Sequence, residues 1–136
     1  MSHHVSTVFN SGMSFTASIN NHKITMDSND GTGFETGPSP KRLMLASLAG
    51  CTGIDIVSIL EKMKVAFTEF SIDVTASLTD EHPKIYNHVR VVYKIKLAEK
   101  DQPKMKKAVS LSQDKYCGVS AMFRAFAKLE TEIVYL

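Results

Sequence analysis

Residues 39–64 read SPKRLMLASLAGCTGIDIVSILEKMK and contain the longest strongly apolar run of the chain. Ser39 followed by Pro40 favours a helix start, because serine caps a helix and proline lacks the N–H that would stay unpaired there. Apolar residues cover most of the circumference of the predicted helix. The segment therefore predicts a central helix enclosed by other elements on nearly all sides. Polar and glycine interruptions such as Gly50 and Asp55 suit a core helix and not a membrane span.

Alternating apolar and polar residues predict the strands on either side of this helix. Residues 1–27 predict a three-stranded antiparallel meander, and residues 28–38, rich in Gly, Asp and Pro, predict a long loop. The part after the helix, about 67–136, predicts two half-buried strands that form a hairpin, a basic helix to about Gln113, a break at Lys115 and Tyr116, a helix over about 117–127 and a strand over 131–135. The predicted fold class is α/β, with the order βββ-α-ββ-αα-β.

Length and composition favour a single domain over residues 1–136, because 43% of the residues are hydrophobic and 22% are charged. The net charge of +2 comes from 16 basic and 14 acidic residues that are scattered along the chain, so no nucleic-acid partner is expected. The segment Met1–Val5 lacks the pattern of a secretory signal, which predicts a cytoplasmic protein. A fully enclosed helix in so short a chain needs a second copy to cover it, which predicts a homodimer.

The chain has two cysteines, Cys51 in the central helix and Cys117 near the start of a later one. In a reducing compartment such a pair is either two inert core residues or a transient redox couple. The position of Cys117 in the first turn of its helix favours a thiolate. Cys51 lies far beyond the first turn of the central helix, and Asp55, one turn later on the same face, should raise its pKa.

Residues 37–53 read GPSPKRLMLASLAGCTG, and residues 115–121 read KYCGVSA. The first segment resembles the central-helix motif of the OsmC/Ohr family, and the second resembles its second-cysteine motif. The resemblance implies an intertwined α/β homodimer with active sites between the subunits. It also implies reduction of organic hydroperoxides, with Cys51 as the peroxidatic and Cys117 as the resolving cysteine. No bound cofactor is implied, and an external dithiol, in such families a lipoylated protein, would reduce the oxidised pair.

The helix start departs from the pattern of the Ohr branch, which uses an Arg near the N-terminus and a Glu at the start of the central helix. Here the first arginine of the chain is Arg42, and the helix start reads Pro40, Lys41, Arg42. A buried thiolate needs a cation, so either Arg42 or Lys41 supplies it, with Glu35 pairing with Arg42 in swapped order, or the site is a weak peroxidase. All three side chains could instead be solvated surface groups. This pattern resembles the less characterised OsmC-like branch.

A different class of function stays open beside the peroxidase. The same scaffold could be a non-enzymatic protein that holds an apolar or acyl ligand in the dimer cleft, with the cysteines as lining. A metal site is not expected, because the five histidines include no helical i, i+4 pair and the chain has no Cys-x-x-Cys. The basic residues Lys104, Lys106 and Lys107 are either solvated surface or a docking face for an acidic carrier domain.

Overall fold

The computed structural model describes residues 1–136. Three strands come first, β1 (Ser6–Ser11), β2 (Ser14–Ile19) and β3 (His22–Met26), followed by the long helix α1 (Pro40–Lys62). The hairpin strands are β4 (Phe67–Leu78) and β5 (Tyr86–Leu97). A 3₁₀ turn (Glu99–Asp101), α2 (Gln102–Leu111), a π-helical turn (Ser112–Tyr116), α3 (Gly118–Arg124) and β6 (Lys128–Tyr135) complete the chain. The predicted order βββ-α-ββ-αα-β is confirmed.

The chain forms two compact units, Met1–Met44 and Leu45–Leu136. The first unit contains the predicted meander, in which β2 pairs antiparallel with both β1 and β3. The loop after β3 is tied down by the buried carboxylate of Asp27, which accepts hydrogen bonds from Ser28 N, Thr36 N and Thr36 Oγ1 at 2.7, 3.1 and 2.7 Å. Because Gly37 lies against the carbonyl of Thr25, with no room for a Cβ, the loop follows β3 closely. The prediction of a single domain over 1–136 stays a prediction.

The second unit is built around a sheet in the order β4-β5-β6. β4 and β5 form the predicted antiparallel hairpin, whereas β6 runs parallel to β5. The parallel pairing follows from the helices between β5 and β6, since a chain that crosses over one face of a sheet can return in the same direction. Alternate residues of β5 point into the core, and all four are fully buried: Val89, Val91, Tyr93 and Ile95.

The hydrophobic core of the second unit lies between this sheet and the helices. Leu48, Ile56 and Leu60 of α1 have no solvent-exposed surface, and the apolar faces of α2 and α3 contribute Met105 and Phe123. Burial of this kind contributes roughly 1.5–3 kcal/mol for each large apolar side chain. The core therefore fixes one face of α1 against β5.

In the single chain, α1 is buried on one side only. In the single chain its buried residues form one stripe at a spacing of four, Leu48, Thr52, Ile56 and Leu60, while Ile54 is 73% exposed. The sheet and helices of one subunit cover only one side of α1, so enclosure by a second copy of the chain stays a prediction. The helix also ends at Lys62 and not at Lys64, whose φ of 59° lies in the left-handed region that ends helices.

Smaller differences concern the region around Cys117. The predicted break at Lys115 and Tyr116 is part of the π-helical turn, in which the N–H of Cys117 donates to the carbonyl of Ser112 at 2.7 Å. The helix that follows ends at Arg124, and β6 begins at Lys128, three residues before the predicted start at Thr131. A π turn has no distinct sequence signature, so local propensity could not predict it.

Candidate thiol site

The two cysteines lie together in the second unit, with the thiol of Cys51 within hydrogen-bonding reach of the thiol of Cys117. α1 carries Cys51 near its middle. Cys117 is the residue before α3, where its extended backbone (φ −78°, ψ 100°) lets its Sγ accept the N–H of Ser120 at 3.3 Å. The predicted pair is thus a spatial pair, and neither cysteine is disulfide-bonded.

The pKa of Cys51 is raised above its ordinary value of 9.0. Burial of the sulfur is the largest cause, and the Cys117 thiol and the negative charge of Asp55 act in the same direction, while a hydrogen bond from the N–H of Val119 lowers the pKa. The direction expected from Asp55 in the sequence is confirmed. The resting thiol is therefore mostly protonated at neutral pH, so its ionisation must accompany any reaction.

The two sulfurs differ in access to solvent. Cys51 is partly exposed, whereas Cys117 is 3% exposed. A small electrophile from solution would therefore reach Cys51 before Cys117. This difference fits the roles that the resemblance implied for the two residues.

A buried network of hydroxyl groups borders the thiol pair. Thr52, next to Cys51, lies 2.8 Å from the Tyr93 hydroxyl and 2.7 Å from Ser112 Oγ. Ser112 Oγ donates to Asp55 Oδ2 at 2.9 Å. The four side chains come from α1, β5 and the π-helical turn, so they join three elements behind the cysteines.

The network continues from Tyr93 to the end of α3. Gln113 Nε2 donates to the Tyr93 hydroxyl at 2.7 Å, and Arg124 donates to both Gln113 Oε1 and the carbonyl of Gln113, at 2.7 and 2.6 Å. Burial is the largest influence on Tyr93 and raises its pKa above the ordinary value of 10.0, so the phenol keeps its proton at neutral pH. This network was not predicted from the sequence, where its one local signal is the pair of polar residues Thr52 and Asp55 between apolar residues of α1.

The three other candidate residues lie in the first unit, and their side chains are exposed. Arg42 Nη1 donates to Asn29 Oδ1 at 3.3 Å and to Ser39 Oγ at 3.2 Å. Glu35 lies in the loop with a left-handed φ of 52°, and Lys41 lies in the first turn of α1. The roles predicted for Arg42, Lys41 and Glu35 at the thiol site stay predictions.

Known proteins show the same arrangement of chain and sheet. The model of the family described as OsmC-like protein matches residues 31–132. The chain belongs to the OsmC-like family. The OsmC-like protein is 31% identical to Protein YhfA of Escherichia coli K12 over 105 residues, which are 77% of this chain and 76% of YhfA.

Solved structures confirm the OsmC-like fold over the whole chain. A protein of Aquifex aeolicus VF5 superposes with a TM-score of 0.87 at 26% identity, covering 100% of this chain and 97% of the other. The organic hydroperoxide resistance protein OhrB of Bacillus subtilis superposes with a TM-score of 0.65 at 16% identity, covering 98% of each chain. The resemblance in the sequence is therefore confirmed at the level of family and fold.

The fold also explains the apolar character of α1. By length and composition alone, α1 could cross a membrane, since its most apolar window has a mean hydropathy of 1.9. In the OsmC-like fold this segment is the central helix of a soluble protein.

Proposed function

We propose that this OsmC-like protein reduces organic hydroperoxides with the thiols of Cys51 and Cys117, as part of a defence against oxidative stress. The observation that carries the proposal is the interaction between the two thiols, one partly exposed and one buried. Membership of a family with organic hydroperoxide resistance proteins among its structural neighbours supports a stress-related redox role.

In the first step Cys51 attacks as a thiolate. Its sulfur displaces the alkoxide from the O–O bond of the hydroperoxide, Cys51 becomes a sulfenic acid, and the alkoxide takes up a proton and leaves as an alcohol. The N–H of Val119 stabilises the charge on Cys51 before the attack. The raised pKa limits this step, because only the ionised fraction of the thiol reacts.

In the second step Cys117 closes the disulfide. The thiolate of Cys117 attacks the sulfur of the sulfenic acid, and the oxygen leaves as water. The N–H of Ser120 already points at the Cys117 sulfur and stabilises it as it loses its proton. An external dithiol then reduces the disulfide by exchange, and we propose a lipoylated protein in this role, with no bound cofactor.

The assembly and location belong to the same proposal. OsmC/Ohr proteins are typically homodimers, and the open faces of α1 suit a second copy of the chain in a dimer with two thiol sites. Arg42 or Lys41 of the partner subunit would then be the candidate for the cation that favours the Cys51 thiolate, with Glu35 pairing with Arg42. A cytoplasmic location suits a pair that must be reduced after each turnover.

Single replacements of the cysteines test the division of roles. Cys51→Ser should abolish turnover of cumene hydroperoxide with dihydrolipoamide as reductant. Cys117→Ser should still react once and accumulate a sulfenic acid at position 51, detected by dimedone labelling and intact mass. Dimedone labelling at position 117 in Cys51→Ser, with turnover retained, would reverse the assignment.

The environment of Cys51 also favours a second candidate function. Burial and the Asp55 charge oppose ionisation of the thiol, which suits a protein that holds an apolar or acyl ligand beside unreactive cysteines. Such a protein would keep both thiols reduced in the presence of hydroperoxide. A bound fatty acid or acyl ligand would protect Cys51 from alkylation.

A further inference from the structure

In the buried network that borders the cysteines, all the side-chain hydrogen bonds are donated in the same direction along the chain of residues. An ionised carboxylate can only accept, so Ser112 donates to Asp55 and must accept from Thr52. Thr52 then has no proton left for Tyr93, so the Tyr93 hydroxyl donates to Thr52 and accepts from Gln113. The carboxamide oxygen of Gln113 accepts from Arg124. Every hydroxyl proton is therefore fixed in a chain that runs from the cation of Arg124 to the anion of Asp55.

Ser112 is the residue at which this chain meets both cysteines. Its hydroxyl is bonded to Thr52 and Asp55, the neighbours of Cys51 in the next position and one turn later on α1. Its carbonyl accepts the N–H of Cys117 at 2.7 Å and closes the π-helical turn. One fully buried residue thus holds the helix that carries Cys51 and the backbone of Cys117.

Packing alone does not call for hydroxyl groups at these positions. Thr52, Ser112 and the ring of Tyr93 are fully buried between apolar residues of α1 and β5. Valine and alanine would fill the positions of Thr52 and Ser112 without the need for partners, and a buried hydroxyl is favourable only when its hydrogen bonds are complete. Satisfied buried networks fix one arrangement of the elements that they join.

We propose that Ser112 is a positioning residue that sets the distance and angle between Cys51 and Cys117, and that the chain from Arg124 to Asp55 holds it in place. The inference rests on the thiol chemistry proposed above, in which Cys117 closes a disulfide with Cys51. Ser112 acts on that closing step and not on the first reaction of Cys51, because its bonds hold the two cysteines relative to each other.

The closing step can be measured without peroxide. Cys51 attacks the disulfide of Ellman's reagent, forms a mixed disulfide and releases one thionitrobenzoate anion; Cys117 then attacks the Cys51 sulfur and releases the second. In stopped-flow absorbance, Ser112→Ala should leave the first release unchanged and slow the second by about tenfold or more, since small misplacements of reacting atoms have effects of this size.

Matched variants distinguish an effect on the position of the cysteines from a general loss of stability. Ser110→Ala removes an exposed hydroxyl near the end of α2, which is hydrogen-bonded to Asp114, and should change neither step. Thr52→Val, which keeps the shape of threonine, should slow the second release as much as Ser112→Ala does. Thr52→Ser, which keeps the hydroxyl, should show the wild-type rate of the second release. Thr52→Val and Thr52→Ser also carry the test if Ser112→Ala does not fold.

Each outcome decides the proposal. A wild-type rate of the second release in Ser112→Ala or Thr52→Val would overturn it, and so would equal slowing of both releases or equal slowing in Thr52→Val and Thr52→Ser. The proposed peroxidase fails separately, if the wild-type protein gives both releases with Ellman's reagent but leaves cumene hydroperoxide unconsumed.

Discussion

Cys51 carries out the proposed chemistry among groups that mostly oppose its charge. Burial, the neighbouring thiol and the carboxylate of Asp55 raise its pKa, and the N–H of Val119 opposes them. Asp55 nevertheless anchors Ser112. One carboxylate thus makes Cys51 harder to ionise and helps to hold its reaction partner, so the two effects can be separated by removing only the charge.

Replacement of Asp55 by asparagine should make Cys51 more reactive at neutral pH. The amide keeps an oxygen that can accept from Ser112 but no longer repels a thiolate, so the pKa of Cys51 should fall toward 9.0. Alkylation of Cys51 by iodoacetamide, followed by peptide mass spectrometry, should be faster by up to about tenfold, which corresponds to one pKa unit.

Asp73→Asn is the matched control, because Asp73 is an exposed carboxylate of the same unit that pairs with Lys94 at 2.9 Å. It should leave the alkylation rate unchanged. Slower alkylation in Asp55→Asn than in the wild type would contradict the direction assigned to Asp55.

At the level of elements, the loop after β3 depends on one buried carboxylate. Hydrogen bonds from the side chain and N–H of Thr36 and from Ser28 hold the pKa of Asp27 below its ordinary value of 3.8. A depressed pKa in the folded state contributes stability above the unfolded value, and this contribution is lost as the pH falls through the folded value. The first unit should therefore lose stability in acid.

Asp27→Asn should lower the stability of the protein at neutral pH, because an amide nitrogen cannot accept the bonds that the second carboxylate oxygen accepts. The deficit should shrink as the pH falls below 3.8, where the wild-type carboxylate loses its charge. Urea unfolding at neutral and acidic pH measures both. The exposed Asp80→Asn should show neither effect, and a deficit in Asp27→Asn that is independent of pH would contradict the assignment.

Helices and strands that follow from a local pattern of residues could be predicted from the sequence, whereas contacts between distant segments could not. The alternation of Val89, Val91, Tyr93 and Ile95 predicts a strand whatever its neighbours are, and it says nothing of whether β6 runs parallel or antiparallel to it. The two motifs that resemble those of the family indicated both cysteines as candidate site residues. The network could not be predicted because Thr52 is hydrogen-bonded to Tyr93 and Ser112, which lie 41 and 60 residues away in the sequence, and no local pattern indicates such contacts.

For the whole molecule, the exposed apolar surface of a single chain predicts a dimer. Ile54 on α1 is 73% exposed, and Phe9 in the meander is 60% exposed. Large apolar side chains that are exposed together on a protein surface are typical of interaction surfaces. We propose a second copy of the chain as the occupant, since proteins of the family are typically homodimers.

Sedimentation equilibrium should give a mass of twice 15.0 kDa at micromolar concentration. Ile54→Lys should shift the equilibrium toward the monomer, because a charge would replace an apolar side chain in the covered surface. Lys106→Ile, on the basic helix α2, should not. A stable wild-type monomer of 15.0 kDa would contradict the dimer.

The most direct test of the thiol chemistry is a titration of the fully reduced protein with cumene hydroperoxide, with free thiols counted and the intact mass recorded. We expect one equivalent of hydroperoxide to remove both thiols of each chain within seconds, to release one equivalent of alcohol and to lower the mass by two hydrogens, as the Cys51–Cys117 disulfide requires. Two thiols that survive excess hydroperoxide for many minutes, in protein whose thiols still react with Ellman's reagent, would contradict the proposed peroxidase.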